Sequence, residues 1–218
     1  MSILLVLALT FRIPFLGNHD QSIKEGYDII NFEANSGKYK EENYVNNHKI
    51  SNDDFSFASN GDYSTYIVDN CFNGENYDND GSKKTYWVSS GEENDTYTPT
   101  IYINFTKPVL FDAFLIFPAF TTPNGIRTFR GFPSKIRVYT ALNDEPMTIK
   151  TLFQGTAENT MKMIQYVFSK PINCTRVKLE LSEISESYGF INGKNHAVIG
   201  GLILFQSFLV DHLSIEKR

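Results

Sequence analysis

The feature that most constrains the fold is a series of short runs in which apolar and polar residues alternate. In the run TIYINFT, Ile101, Ile103 and Phe105 fall on one face and the polar residues on the other. The runs at 134–141 and 175–184 show the same period of two. Side chains alternate between the two faces of a strand, so this period predicts strands with one buried face.

Two further apolar runs extend the pattern. The run 109–117 is almost continuously apolar, which predicts a strand covered on both faces. The run 197–205 is too short to cross a membrane as a helix. With about eight main strands and no long helical stripe, the sequence predicts an all-β fold of the β-sandwich type.

Composition and charge narrow the class of protein. The chain has 218 residues and is 41% hydrophobic, enough for a packed core. Residues 18–100 hold 16 acidic and 6 basic side chains, and residues 101–218 hold 9 and 13. A nucleic-acid binder needs a concentrated basic face, so we expect no nucleic-acid partner.

The N-terminal region indicates an extracellular protein. An apolar run at 3–9 suits the core of a signal peptide over residues 1–17, and the alternative is a buried N-terminal strand. Three glycosylation sequons, at Asn94, Asn104 and Asn173, support a secreted or cell-surface location.

The rest of the chain divides by texture. Residues 18–53 form a polar N-terminal extension whose apolar patch YDIINFEA could add one strand. Residues 54–208 are the β domain, and residues 209–218 are a tail. The two cysteines, Cys71 and Cys174, either form a disulfide or are two buried small residues.

The order of the runs resembles the discoidin domain, the C-type domain of coagulation factors five and eight, in the galactose-binding-like superfamily. CFNG at 71–74 stands where the family has Ala-Leu-Asp-Gly, and TYWVS at 85–89 matches its Thr-x-Trp and serine. FPSKIRVY at 132–139 matches Pro-x-x-Ile-x-Val-Tyr, and VIGGLILF at 198–205 matches the closing strand Ile-Gly-Glu-Ile-x-Leu-Tyr. The resemblance covers residues 54–206 and implies a jelly-roll type sandwich with a polar N-terminal extension.

The resemblance also assigns two residues of the fold. Cys71 stands at a buried alanine of the family, so it implies a small core residue. Trp87 is implied to be a large core residue beneath the edge of the sandwich, and the alternative is a stacking platform for a sugar.

The resemblance implies a non-catalytic module that binds carbohydrate, as a glycan or on a glycoprotein, in adhesion or recognition. Family ligands meet loops at one end of the sandwich, and three loops of this chain match them, at 59–66, 89–98 and 118–133. They contain residue types that recognise sugars: aromatic rings, arginines and short polar side chains. The candidate ligand-binding residues are Asn60, Asp62, Tyr63, Phe120, Arg127, Phe129, Arg130 and Phe132. The alternative is that Phe129 and Phe132 anchor their loop to the core while the arginines pair with acidic residues.

Other functions stay open to different degrees. The same loops could hold an anionic lipid surface, as in the coagulation relatives, or the domain could be a protein-interaction module. No catalytic motif with a nucleophile, zinc ligands or a phosphate loop is present, so we do not expect an enzyme.

The stretch CFNGENYDNDGSKKTYW raises the question of calcium. Its spacing does not fit an EF-hand loop, because Trp87 falls where a bidentate glutamate is needed. Family resemblance implies a structural calcium held partly by an aspartate and a glutamate, which are replaced here by Asn73 and Gly201. The acidic residues of the enlarged loop could compensate, and the alternative is a solvated acidic turn. The candidate metal ligands are Asn73, Asp78, Asp80 and Thr85.

Overall fold

The computed structural model describes most of the β domain and part of the N-terminal extension. The described residues are 26–33, 49–62, 67–72, 86–90, 97–118, 131–156, 164–184 and 196–207. They contain two 3₁₀ turns, Asn52–Asp54 and Val68–Cys71, and no α-helix. The strands are β1 (Asp28–Glu33), β2 (Phe55–Ser59), β3 (Trp87–Val88), β4 (Thr100–Pro118), β5 (Pro133–Ala141), β6 (Thr148–Thr156), β7 (Ile164–Ile184) and β8 (Val198–Gln206). The predicted all-β class is confirmed.

Two long strands, β4 and β7, each take part in both sheets of a sandwich. The first part of β4 pairs with β2 and with the second part of β7. Strands β5, β6 and β1 then extend this first sheet beyond β7. The last part of β4 pairs with the start of β7 and with β8, and β8 pairs with β3 to form the second sheet. All of these pairings are antiparallel except that of β1 with β6.

Both long strands change sheets at bulges. On β4, residues 105–108 stand opposite Thr175 alone, because Asn104 pairs with Arg176 and Val109 pairs with Cys174. On β7, residues 168–171 stand opposite Asp112 alone. Each bulge contains a proline, a residue that cannot donate to the ladder and is tolerated in sheets at such positions. Bulges bend a strand, and these two turn β4 and β7 from one sheet into the other.

The apolar faces predicted from the alternation meet between the sheets. Ile101 and Ile103 of the first sheet belong to the same buried cluster as Phe114 and Ile116 of the second part of β4. Stacked rings contribute to this cluster, and Phe114 and Tyr166 lie parallel with centroids 4.7 Å apart. The predicted inward faces of these strands are therefore confirmed.

The second part of β4 is covered on both faces. Phe114 and Ile116 face the main core, while Ala113, Leu115 and Phe117 form a second buried cluster with Phe205. The prediction made from the continuous apolar run at 109–117 is confirmed.

Parts of the polar N-terminal extension belong to the sandwich. Its apolar patch forms β1, in register with β6 from Asp28 opposite Thr151 to Glu33 opposite Thr156. Ile50 is also buried, and its backbone N–H donates to the carbonyl of Leu204 at 2.9 Å. The expectation that the extension could add one strand is confirmed.

Candidate functional site

One end of the sandwich, here called the loop end, brings together the chain at 59–62, 86–90, 97–100, 131–133 and 196–198. Its first tie is the side chain of Asn60, which bridges to the start of β4. The Asn60 amide donates to the Thr98 carbonyl at 2.8 Å and its oxygen accepts from the Thr100 backbone N–H at 2.9 Å. The Asn60 backbone N–H also donates to the Thr100 carbonyl at 3.1 Å. Asn60 therefore fixes two loops to each other while its own side chain stays exposed.

Tyr97 lies across this junction. Its hydroxyl is 3.3 Å from the Asn60 side-chain oxygen and 3.5 Å from the Gly61 carbonyl, so it can donate to either. The residue is half-buried. Glycine at position 61 lets the neighbouring loops pack closely, since a Cβ there would lie 2.4 Å from Ser90 Oγ and 3.3 Å from the Tyr97 hydroxyl. The result is an aromatic side chain held at the loop end with part of its surface open.

Asp62 and Trp87 form a hydrogen bond beneath the loops. Asp62 Oδ1 accepts from the indole Nε1–H of Trp87 at 2.8 Å and from the Ser59 hydroxyl at 2.5 Å. Trp87 is fully buried in the core, and a buried indole N–H needs such a partner. Trp87 is therefore the core residue that the family resemblance implied, and it offers no platform to a sugar.

A second buried network fixes the start of β8. His196 Nδ1 is 2.6 Å from the carbonyl of Ser89, and since a carbonyl only accepts, Nδ1 carries the proton. The Ser89 hydroxyl accepts from the Ala197 backbone N–H at 2.9 Å. Both His196 and Ser89 are fully buried. Asp62 forms an isolated antiparallel β-bridge with Ser89, which joins this network to the loop that begins at residue 59.

Gly131 sets the return of the arginine- and phenylalanine-containing loop. Its carbonyl accepts from the Val198 backbone N–H at 2.8 Å, and its φ of +90° lies in the left-handed region that favours glycine. A Cβ there would lie 2.5 Å from Val198 and 2.7 Å from the His196 carbonyl. The loop that leaves β4 after Pro118 therefore returns beside the His196 network.

The predicted ligand residues can be placed only in part. Asn60 and Asp62 lie at the loop end and hold other parts of the chain through the hydrogen bonds above. Phe132 is 6% exposed and packs in the main core, so it offers no face to a ligand. Its burial agrees with the alternative given above, in which Phe132 anchors its loop to the core. The residues Tyr63, Phe120, Arg127, Phe129 and Arg130 lie outside the described residues.

The structure adds residues that the sequence did not single out. Tyr97 was included only as part of a candidate loop, and Ser89 only as part of the family motif. His196 was not among the candidate residues. The available signal for Tyr97 was weak, namely an aromatic residue just before a predicted strand in an acidic loop.

The cysteines are both free and buried. Cys71 Sγ is 3.0 Å from the carbonyl of Val68, and Cys174 belongs to the main core. The structure thus corresponds to the second alternative, two buried small residues, and not to a disulfide. Burial raises the pKa of the Cys71 thiol far above its usual range and that of Cys174 to about 12.

Metal ligands and sequons were also predicted. The candidate ligands Asn73, Asp78, Asp80 and Thr85 lie outside the described residues, as does the sequon at Asn94. Among the residues that the structure describes, no group of three histidine, cysteine or acidic side chains could hold a metal ion.

The other two sequons lie in strands, and both asparagines are exposed: Asn104 in β4 and Asn173 in β7. In the described part of the chain, no helix has the length and apolar character needed to cross a membrane.

Comparison with known proteins gives a match in structure alone. No protein-family model matches the chain, and no curated protein matches it. Among solved structures, the CBM32-1 and CBM32-2 domains of ZmpB from Clostridium perfringens superpose with a TM-score of 0.60 at 15% identity. That match covers 76% of this chain and 38% of the other, so this chain spans well under half of that structure.

Two single-domain structures are covered almost completely. The family 32 CBM of NanJ from C. perfringens, in complex with galactose, has a TM-score of 0.54 at 16% identity, covering 73% of this chain and 98% of that one. An F5/8 type C domain from Bacteroides fragilis has a TM-score of 0.53 at 11% identity, covering 75% and 99%. The protein therefore has a discoidin-like β-sandwich fold.

Proposed function

We propose that the loop end binds carbohydrate and that the protein is a non-catalytic recognition or adhesion module acting outside the cell. The observation that carries this proposal is the convergence of three loop regions on one rigid base. Asn60, Tyr97 and Gly131 each lie on a different region of that base, and buried hydrogen bonds hold the base in place. Sites that are fixed before binding lose less conformational freedom when a ligand arrives.

The chemistry at the loop end suits a sugar. A sugar offers C–H faces to aromatic rings and hydroxyls to amides, carboxylates and arginines. Tyr97 supplies a partly open aromatic surface, with the exposed amide of Asn60 beside it. Arg127, Phe129 and Arg130 belong to the loop whose return is fixed at Gly131, and we propose that they complete the site.

Solved structures of the same fold support this class of ligand. The NanJ domain named above was solved with galactose, and the ZmpB CBM32 domains were also solved in complex with GalNAc. The ZmpB match with GalNAc has a TM-score of 0.59 at 15% identity. A separate structure of ZmpB includes its M60 catalytic domain together with both CBM32 domains.

A glycan array with the full chain tests the proposal. We expect binding to a subset of neutral glycans, lost in an Arg127→Ala/Arg130→Ala variant. A Lys107→Ala/Arg137→Ala variant removes the same charge away from the loop end and should bind as the native chain does. In the same assay, Tyr97→Ala should weaken binding roughly 2- to 10-fold, the value of one aromatic contact, while Tyr97→Phe should change it less.

The opposite result identifies the competing lipid function. An absence of glycan binding, together with salt-sensitive binding to vesicles of phosphatidylserine and phosphatidylcholine, would replace carbohydrate by an anionic membrane as the ligand. Equal loss of glycan binding in Arg127→Ala/Arg130→Ala and in its charge-matched control would show that net charge, and not the loop end, governs binding.

A further inference from the structure

A groove of about 680 Å³ lies at the other end of the sandwich, where β4 and β7 change sheets. We call this end the bend end. The groove is lined by residues 26–28, 150–151 and 169–173. Its volume falls within the range of about 300–1,000 Å³ that is usual for ligand sites. None of its residues belongs to the loop end.

One wall of the groove comes from the bulge of β7. Along most of β7 buried and open side chains alternate, but Ser169, Lys170 and Pro171 are all exposed in succession. They belong to the four residues that stand opposite Asp112 alone. A bulge re-aims the side chains it carries, and this one turns a lysine and a hydroxyl toward the groove.

The facing wall comes from the start of β1. Gly26 has a φ of +76°, a left-handed turn that brings Tyr27 and Asp28 onto the edge of the sheet. Asp28 Oδ2 accepts a hydrogen bond from the Ser169 hydroxyl, which joins the two walls. Further along β1, Gln154 Nε2 donates to Asn31 Oδ1 at 3.0 Å and ties the strand to β6. The groove is therefore complete only when this strand is docked.

The lining combines positive charge with apolar and hydrogen-bonding surface. Lys150 and Lys170 are both exposed, and Asp28 is the one acidic residue that lines the groove. The local charge is thus positive in a chain whose formal net charge is -5. The half-buried Tyr27 and the neighbouring Pro171 add apolar surface, and the hydroxyl of Ser169 adds a hydrogen-bonding group.

We propose that this groove is a second ligand site, for an acidic sugar residue. The two ammonium groups would bind its carboxylate or sulfate, Tyr27 and Pro171 would contact its C–H face, and Ser169 Oγ would accept from a hydroxyl. A neutral sugar would leave the positive charges unused, and a simple inorganic anion would leave the apolar surface uncovered. The site is separate from the loop end and does not depend on the function proposed for it.

Titration calorimetry with three probes tests the assignment. The probes are a hyaluronan hexasaccharide, which carries carboxylates only, a heparin hexasaccharide, which is densely sulfated, and the neutral chitohexaose. We expect at least one acidic probe to bind the full chain, and binding to weaken at least tenfold in Lys150→Gln/Lys170→Gln. The two acidic probes decide whether carboxylate or sulfate is the preferred group.

Matched variants separate this site from general charge and from the loop end. Lys49→Gln/Lys107→Gln removes two exposed lysines that do not line the groove and should keep acidic-sugar affinity within about twofold of native, the scale of surface charge effects. Arg127→Ala/Arg130→Ala should also leave it unchanged. Equal weakening in both lysine variants, or no binding of either acidic probe, would overturn the proposal.

Hydrogen exchange gives a readout that does not depend on those variants. Because Tyr27 and Asp28 form one wall, the bound acidic hexasaccharide should slow exchange of the amides of β1 and of residues 169–173. Protection confined to the loop end would place the acidic sugar there and contradict the proposal.

Discussion

The two ends of the sandwich are built in different ways. At the loop end, separate loops are fixed by side chains that hydrogen-bond buried backbone groups, as Ser89 and His196 do. At the bend end, the shape comes from the strands themselves, through two bulges and the edge strand β1. A network of buried polar groups is rigid but is costly to damage, whereas a bulge tolerates changes in its exposed side chains. The loop end should therefore respond to substitution far more strongly than the bend end.

The largest effect should follow loss of Trp87, which is fully buried at the loop end. Replacing it by alanine leaves a cavity and removes the N–H partner of Asp62, so we expect a loss of about 3–5 kcal/mol in unfolding free energy. Trp87→Phe keeps most of the apolar volume and should cost about 1–3 kcal/mol through the lost hydrogen bond. Urea unfolding measures both, and similar costs for the two variants would mean that the hydrogen bond outweighs the packing.

A matched pair of glycines compares the ends directly. Gly131 and Gly26 both have positive φ, but a Cβ at Gly131 would overlap Val198 and the His196 carbonyl, while a Cβ at Gly26 meets nothing within 4 Å. We expect Gly131→Ala to cost about 2–4 kcal/mol and Gly26→Ala about 1 kcal/mol, the left-handed strain alone. Thermal melting checks this order. Equal costs would contradict the claim that the loop end is the more closely packed.

Alkaline pH should weaken the protein through its buried thiols. Burial raises the pKa of both cysteines in the folded state, to about 12 for Cys174, so above roughly pH 8.5 only the unfolded chain loses these protons. Their contribution to stability is full below that pH and falls as pH rises toward 12, by about 1.4 kcal/mol per pH unit for each thiol.

Urea midpoints at pH 8 and pH 10 measure the effect, with Cys71→Ala/Cys174→Ala as the control that should lose this part of the pH dependence. Thiol labelling tests whether the core opens, because Cys71 and Cys174 are both buried in it. We expect neither to react in the native state, and fast labelling of either would show local opening of the core around that residue.

The smallest effects should come from the ion pairs, which belong neither to the hydrogen-bond network of the loop end nor to the groove of the bend end. Lys135 and Glu183 pair with side chains 33% and 57% exposed, and a pair this open contributes little. Lys178 is less exposed and sits 3.7 Å from the Tyr139 ring centroid as well as 2.8 Å from Glu180. We expect Lys135→Met to change the free energy of unfolding by less than about 0.5 kcal/mol and Lys178→Met by up to about 1 kcal/mol. A larger cost for Lys135→Met would show a charge network that the described contacts do not contain.

Sequence patterns predicted the strands well because burial of one face is a local signal. The inward residues Ile101, Ile103 and Phe105, the double coverage of 109–117 and the strand in the N-terminal extension could all be predicted in this way. The family motif likewise predicted the burial of Cys71 and Trp87.

Other features depend on contacts between distant residues. The runs at 100–106 and 109–117 were predicted as separate strands, yet a bulge joins them into β4. Strand β6 and the first part of β7 were not predicted. The parallel pairing of β1 with β6 joins residues more than 100 positions apart and leaves no local trace.

The candidate site was predictable in position more than in detail. The sequence identified Asn60 and Asp62 from their residue types, as sugar ligands. Their hydrogen bonds to Thr98, Thr100 and Trp87 depend on how the loops meet, which one stretch of sequence does not encode. Phe132 shows the same limit, since an aromatic residue in a loop can face either a ligand or the core.

The two strands that pass through both sheets have a consequence for how the molecule comes apart. Neither sheet can separate from the other as a unit, because β4 and β7 each contribute one half to both sheets. The two sheets are therefore joined by continuous strands, and we expect them to unfold together in a single cooperative step. A fold built in this way should resist partial opening.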